Sequence, residues 1–227
     1  MLTVMLKLSD YNLILLDFDG LLVNTEHLHF QSYKLACQNR CLKLNWSFQT
    51  YCRAAHYDNS AFQKQIMEEF PELKAIGWDV FYEEKKLALL DLYKNGAVQL
   101  MPGVAEFLAN LNENNIKHAV VTHSPKILVE ALCKRIPELQ TIVHWVTRED
   151  YVHPKPHPEC YVHALKKFSK PGDKVAGFED TPRGLKALLH TPVLPVWVTA
   201  IDYPEKEGFV NKGVLHFDTF HSILNPN

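Results

Sequence analysis

Four short groups of polar residues in this chain could do chemistry together. The first is Asp17-Phe18-Asp19-Gly20. Two carboxylates at i and i+2 project the same way where a strand ends, and paired like charges there are costly without a cation. An Asp-Gly turn would account for the same dipeptide. The second group is Thr122-His123-Ser124, whose hydroxyls and backbone N–H groups could hold an oxyanion beside a helix N-terminus. Capping by Ser124 ahead of Pro125 is the alternative there. The third is Lys155, held between prolines in Val152-His-Pro-Lys-Pro-His-Pro. His153 and His157 are read as surface or packing residues, because no cysteine or third imidazole lies near them in sequence. The fourth is Glu179-Asp180, where Asp180 or Thr181 could also cap a helix with Pro182 in its first turn. Together the groups supply carboxylates, hydroxyls and one ammonium, a set that suits Mg2+ held by oxygen ligands beside a phosphate.

Each group follows, or lies between, apolar runs that must position it. Short buried strands are expected at Asn12–Leu16, His118–Thr122, Ile142–Val146, Val175–Phe178, Val193–Val198 and Val214–Phe217. Helical spacing lies between them, through Val104 to Leu111, Ile127 to Cys133, Tyr161 to Phe168 and Leu185 to Leu189. Strands alternating with helices predict an α/β fold: a Rossmann-like parallel sheet with helices on both faces. From about Asn24 to Asn95 the apolar spacing is helical throughout, with Pro71 and Gly77 as punctuation. The expected organisation is an α/β catalytic core at residues 1–22 and 97–227, with a helical cap, residues 23–96, inserted after the first strand. Such an insertion would overhang the carboxyl edge of the sheet, where open parallel sheets bind ligands.

Composition narrows the partners. The chain has 227 residues, 47% of them hydrophobic, enough for a substantial core. A net charge of -2 gives no basic excess, so no nucleic acid is expected. No apolar stretch reaches the length of a membrane span, so no membrane partner is expected. Five cysteines, at 37, 41, 52, 133 and 160, form no C-x-x-C pair and read as thiols in a reducing compartment. Cys37 and Cys41 could share one helix face, and they are read as two small apolar residues that pack. A cytoplasmic protein is expected, and nothing demands an oligomer, so it is taken as a monomer.

The four groups resemble the motifs of the haloacid dehalogenase superfamily, and within it the β-phosphoglucomutase-like and phosphatase branch with a helical cap. The matching residues are Asp17-Phe-Asp-Gly-Leu-Leu-Val-Asn-Thr-Glu, Val121-Thr122-His-Ser, Lys155-Pro-His-Pro-Glu and Gly177-Phe-Glu-Asp-Thr-Pro-Arg-Gly184, in the expected order. The resemblance implies that Asp17 is a nucleophile forming an aspartyl-phosphate and that Asp19 is the general acid and then the base for water. It implies a phosphoryl clamp of Thr122 and Lys155, with His123 and Ser124 beside the substrate. It implies Mg2+ held by Asp17, the carbonyl of Asp19, and Asp180, with Glu179 close by. Two positions depart from the pattern: the cap hinge is Asn24-Thr25, and the cap loop Tyr51-Cys-Arg-Ala-Ala-His-Tyr57 has Arg53 but no glycine.

The expected function is therefore a magnesium-dependent phosphatase for a small phosphorylated metabolite, such as a sugar phosphate. A sugar phosphomutase is the alternative, and a non-catalytic binding protein on the same fold is a third. His29, Arg53 and His56 are the expected substrate contacts in the cap.

Overall fold

The computed structural model describes residues 6–57, 59–96 and 98–225. The outer ends of the expected core, residues 1–5, 97 and 226–227, lie outside the described residues. The chain forms β1 (Leu13–Leu16), α1 (Glu26–Gln38), α2 (Phe48–Ala55), α3 (Asn59–Glu69), α4 (Trp78–Asn95) and α5 (Val104–Glu113). It continues through β2 (His118–Val121), α6 (Lys126–Cys133), β3 (Trp145–Val146), α7 (Glu159–Phe168), β4 (Val175–Glu179) and α8 (Pro182–Leu189). It closes with β5 (Leu194–Val198), α9 (Lys206–Val210), β6 (Leu215–Phe217) and α10 (Phe220–Leu224). No described helix is long and apolar enough to cross a membrane.

The strands form one parallel sheet in the order β3-β2-β1-β4-β5-β6. The chain builds outward from β1 through β2 to β3, then returns to the other side of β1 for β4, β5 and β6. That reversal makes the carboxyl ends of β1 and β4 a topological switch point, the place where such sheets open a ligand crevice. Register sharpens it. Leu16 pairs with Phe178 on β4 and with Val120 on β2. One residue further along, Asp17 stands level with Glu179 and Val121.

Every residue of β1 is buried, as expected for a strand covered on both faces. Leu13 and Leu15 share one face with Ala119, Val121, Val175, and Tyr161 and Ala164 of α7. The opposite face carries Phe178, which meets Phe107 of α5 edge-on at 5.3 Å, while Phe107 packs on Phe220 of α10 at 4.5 Å. By the two-residue period of a strand, Asp17 and Glu179 continue the α7 face.

The chain divides into two compact units. The α/β unit runs to Asn24 and resumes at Gln99; the helical unit is Thr25–Val98. The helical unit starts and ends two residues later than the expected 23–96, because backbone pairing keeps Asn24 in the sheet unit and returns the chain to it only at Gln99. Asn24 N donates to Gln99 O (2.9 Å), and Val23 bridges Leu100. The helical unit has its own core of Phe30, Tyr33, Tyr51, Phe62, Ile66 and Phe81 among others, with Tyr33 and Phe62 edge-on at 4.9 Å.

Several local expectations change. The third strand shrinks to two residues, since Ile142 closes a 3-10 turn over Pro137–Thr141. Cys37 and Cys41 do not share a helix face: α1 ends at Gln38, and Cys41 is exposed with φ of 58°.

Candidate active site

The loop after β1 turns sharply. Gly20 has a φ of 79°, a left-handed conformation that glycine adopts without strain, and its N–H donates to Val23 O (2.9 Å). The turn leaves Asp17 at the strand end and carries Asp19 toward the end of β2. There Ser124 Oγ donates to Asp19 Oδ2 at 2.6 Å, and Thr122 Oγ1 approaches the same oxygen at 3.5 Å. Ser124 N in turn donates to Thr122 Oγ1 (2.9 Å). Ser124 therefore does not cap α6, whose first flanking residue is Pro125 with no side-chain cap.

Lys155 reaches Asp17 from the loop between β3 and α7, 138 residues away in sequence. Its ammonium is buried, donates to Asp17 Oδ1 (2.6 Å) and Val121 O (2.9 Å), and lies 2.8 Å from Glu179 Oε1 as an ion pair. Burial alone would lower the Lys155 pKa, but Asp17 and Glu179 outweigh it and hold the group well above its ordinary value. Burial, then the charge of Glu179, pushes the Asp17 carboxyl from 3.8 up to about 7, against the opposing pull of Lys155.

Glu179 is fully buried. Tyr161 of α7 donates its hydroxyl to Glu179 Oε1, and burial followed by the Glu179 charge keeps that phenol protonated. The second oxygen, Glu179 Oε2, is buried with no hydrogen-bond partner among the described residues. An uncompensated carboxylate oxygen is expensive to bury unless a cation meets it. Gly184 makes room for the group: a Cβ there would lie 1.9 Å from Glu179 Cδ and Oε2. Trp197 Nε1 donates to Asp180 O (2.9 Å). One oxygen each from Asp17, Glu179 and Asp180 lies within 4.8 Å of the others. Three carboxylates with an orphaned oxygen fit a hard divalent cation.

The capping choice at the fourth group resolves to Thr181, which accepts from Gly184 N. The structure thus gathers Asp17, Asp19, Thr122, Ser124, Lys155, Glu179 and Asp180 at one edge of the sheet. His123 lies beside them, but its imidazole turns to Tyr151: His123 Nδ1 is 3.1 Å from Tyr151 Oη, which donates to Thr122 O (3.1 Å). Burial, then the charges of Arg183 and Arg148, lowers His123 to about 3 and keeps it neutral.

The remaining expected contacts belong to the helical unit. His29 is bonded on both ring nitrogens, to Lys85 Nζ (2.9 Å) and Tyr93 Oη (3.2 Å). His56 is buried against Glu26 at 3.0 Å, whereas Arg53 is exposed on α2. The sequence motifs alone do not mark Tyr161, Tyr151 or Gly184 as site residues. Tyr161 carried a weak signal, since a tyrosine on an otherwise apolar helix stripe needs a partner for its hydroxyl.

A family model for haloacid dehalogenase-like hydrolases matches residues 11–190. The chain belongs to the haloacid dehalogenase-like hydrolases. Among relatives of this hydrolase, (DL)-glycerol-3-phosphatase 2 of Arabidopsis thaliana is 27% identical over 180 residues, covering 77% of this chain and 73% of the relative. A phosphorylated carbohydrates phosphatase of Thermotoga maritima is 26% identical over 220 residues, covering 93% and 96%. The fold is also that of a family IA, variant 3 hydrolase from Entamoeba histolytica, at a TM-score of 0.74 and 22% identity, over 93% of this chain and 95% of that one.

Proposed function

We propose that this haloacid dehalogenase-like hydrolase is a magnesium-dependent phosphatase acting on a small phosphorylated metabolite, such as a polyol or sugar phosphate. The carrying observation is the Asp17 carboxylate, held 2.6 Å from a buried ammonium and beside Glu179 and Asp180 at the switch point of the sheet. The names of the two phosphatase relatives support a carbohydrate or polyol ester.

Asp17 attacks phosphorus, and the bond to the leaving alcohol oxygen breaks as Asp19 donates a proton to it. A water then attacks the aspartyl-phosphate, Asp19 takes its proton, and phosphate leaves with Asp17 regenerated. Lys155, Thr122 and the backbone N–H of His123 hold the phosphoryl oxygens, while Ser124 N–H, which donates to Thr122 Oγ1, fixes that hydroxyl. Asp17, Asp180, Glu179 and the carbonyl of Asp19 would hold Mg2+. When bound, the ion neutralises charge on the transferring group. The Asp19 side chain is aimed by Ser124, so its proton transfer has a fixed direction. In the helical unit, His29, Arg53 and His56 are the proposed substrate contacts.

The test is phosphate release from a panel of polyol and sugar phosphates, with Mg2+ or with EDTA. Release that requires Mg2+ and disappears in Asp17→Asn is expected. Absence of release from every ester would overturn the reading. So would isomer formation from a hexose 1-phosphate plus bisphosphate without free phosphate, which would mean a mutase.

A further inference from the structure

The loop that delivers Lys155 to Asp17 has a second, outward side. His153, His157 and Glu159 gather there, one ligand atom of each lying within 4.8 Å of the others. No cysteine or third imidazole lies near the two histidines in sequence; the third donor is the carboxylate of Glu159. His153 Nδ1 is 2.6 Å from Glu159 Oε2, and His157 Nδ1 is 4.0 Å from it. The imidazole rings are tilted at 39° with centroids 4.7 Å apart. A tetrahedral zinc-class site with bonds of about 2.0–2.1 Å has ligand atoms about 3.4 Å apart. The two observed separations bracket that value; His157 Nδ1 now accepts from Glu159 N (3.2 Å), a bond that a metal ion would replace.

The cluster is prepared rather than incidental to a loose loop. Glu159 Oε1 accepts from Val152 N (3.0 Å) and Oε2 from His153 N (2.8 Å). His157 N donates to Pro154 O (3.0 Å), and Pro154, Pro156 and Pro158 stiffen the intervening backbone. The N–H of Val152, then that of His153, holds the Glu159 carboxyl down at about 2, so it is anionic whenever an ion arrives. The side chains of His153, His157 and Glu159 are 64%, 54% and 30% exposed, which leaves the cluster accessible.

We propose that His153, His157 and Glu159 form a second metal site, for a zinc-class divalent ion such as Zn2+, Ni2+ or Cu2+, on the outer side of the Lys155 loop. Two imidazoles and one carboxylate are donors for that class of ion, whereas Mg2+ selects oxygen-only sites. The two sites of the chain therefore take different ions. A bound ion ties the first and last turns of the Lys155 loop together.

The test is calorimetric titration of the tag-free, EDTA-stripped protein with Ni2+, in excess Mg2+ to occupy the carboxylate cluster. One equivalent of Ni2+ is expected to bind. His153→Ala/His157→Ala should weaken it by more than about 100-fold, since losing even a group that only hydrogen-bonds to a ligand costs metal sites about 10–100-fold. Circular dichroism of the double variant should be unchanged, and the single His157→Gln should weaken binding in the same direction. Asp180→Asn should leave Ni2+ binding intact, which separates this site from the proposed phosphatase site. A wild-type protein that takes up no Ni2+ would overturn the proposal. So would a double variant that binds as tightly as wild type, because the ion would then sit on cysteines or on the carboxylate cluster.

Discussion

Lys155→Met removes the ammonium and keeps most of the apolar stem. The Nζ atom lies 2.6 Å from Asp17 and 2.8 Å from Glu179, and the side chain is only 4% exposed. Removing one partner of a buried ion pair typically costs about 3–5 kcal/mol. Asp17 can relieve part of this by taking up a proton. Burial and Glu179 already raise its carboxyl from 3.8 to about 7, and Lys155 is the leading influence pulling it down. Without Lys155 the folded-state value rises further. A carboxyl raised in the folded state contributes stability that is present below its unfolded value and lost as pH climbs through the folded one. Metal-free wild type should therefore lose stability from about pH 4 up to about pH 7, and the variant should go on losing it above that. Above neutrality the gap between them should widen by about 1.4 kcal/mol per pH unit, toward the 3–5 kcal/mol limit. Mg2+ should narrow it by replacing the missing positive charge. The measurement is urea unfolding followed by far-ultraviolet circular dichroism at about pH 6 and about pH 8, in EDTA and in Mg2+. A stability loss that is the same at both pH values, or no loss at all, would refute the electrostatic account of Lys155.

Other substitutions probe the same site one contact at a time. Gly184→Ala places a Cβ 1.9 Å from the Glu179 carboxylate. It should raise the Mg2+ concentration needed for half activity and lower stability by about 1–3 kcal/mol, read from activity and urea titrations. Ser124→Ala loses the 2.6 Å bond to Asp19. It should reduce kcat with stability changed by no more than about 1 kcal/mol, and unchanged kcat would show that Asp19 does not need this donor. Asp19→Asn should slow alkyl phosphates by about 10²–10⁴-fold but release a burst of p-nitrophenol, roughly stoichiometric with enzyme, from the aryl ester in stopped-flow absorbance. Equal loss on both esters without a burst would assign Asp19 to structure or metal binding.

Most elements were legible because their signals are local. Leu13–Leu16 is an unbroken apolar run cut off by carboxylates, and it forms a buried strand. The end of β4 at Glu179 and the start of α8 at Pro182 follow from the same logic. Local signals mislead where a neighbour outside the apolar run decides. Ile142 carries β-forming chemistry but closes a turn begun by Pro137. Glu159 opens α7 two residues before the first apolar position of the expected helix, because its carboxylate is recruited by the backbone of Val152 and His153.

The sequence by itself determined which side chains stand at strand ends, since apolar runs and the residues that stop them are a property of neighbouring positions. It placed Asp17, Thr122, Glu179 and Asp180 at such ends, and Lys155 in a proline-stiffened loop. Only the tertiary structure decided which of these meet. Strand order and register lie beyond any local pattern, because they depend on how whole elements bury their faces against one another. The return of the chain to β4 beside β1 sets Glu179 level with Asp17. The folding of the β3–α7 loop carries Lys155 between them, over a sequence separation of 138 residues. The same closure brings His153 and His157 to Glu159, and commits His123 to Tyr151 rather than to the open edge of the sheet.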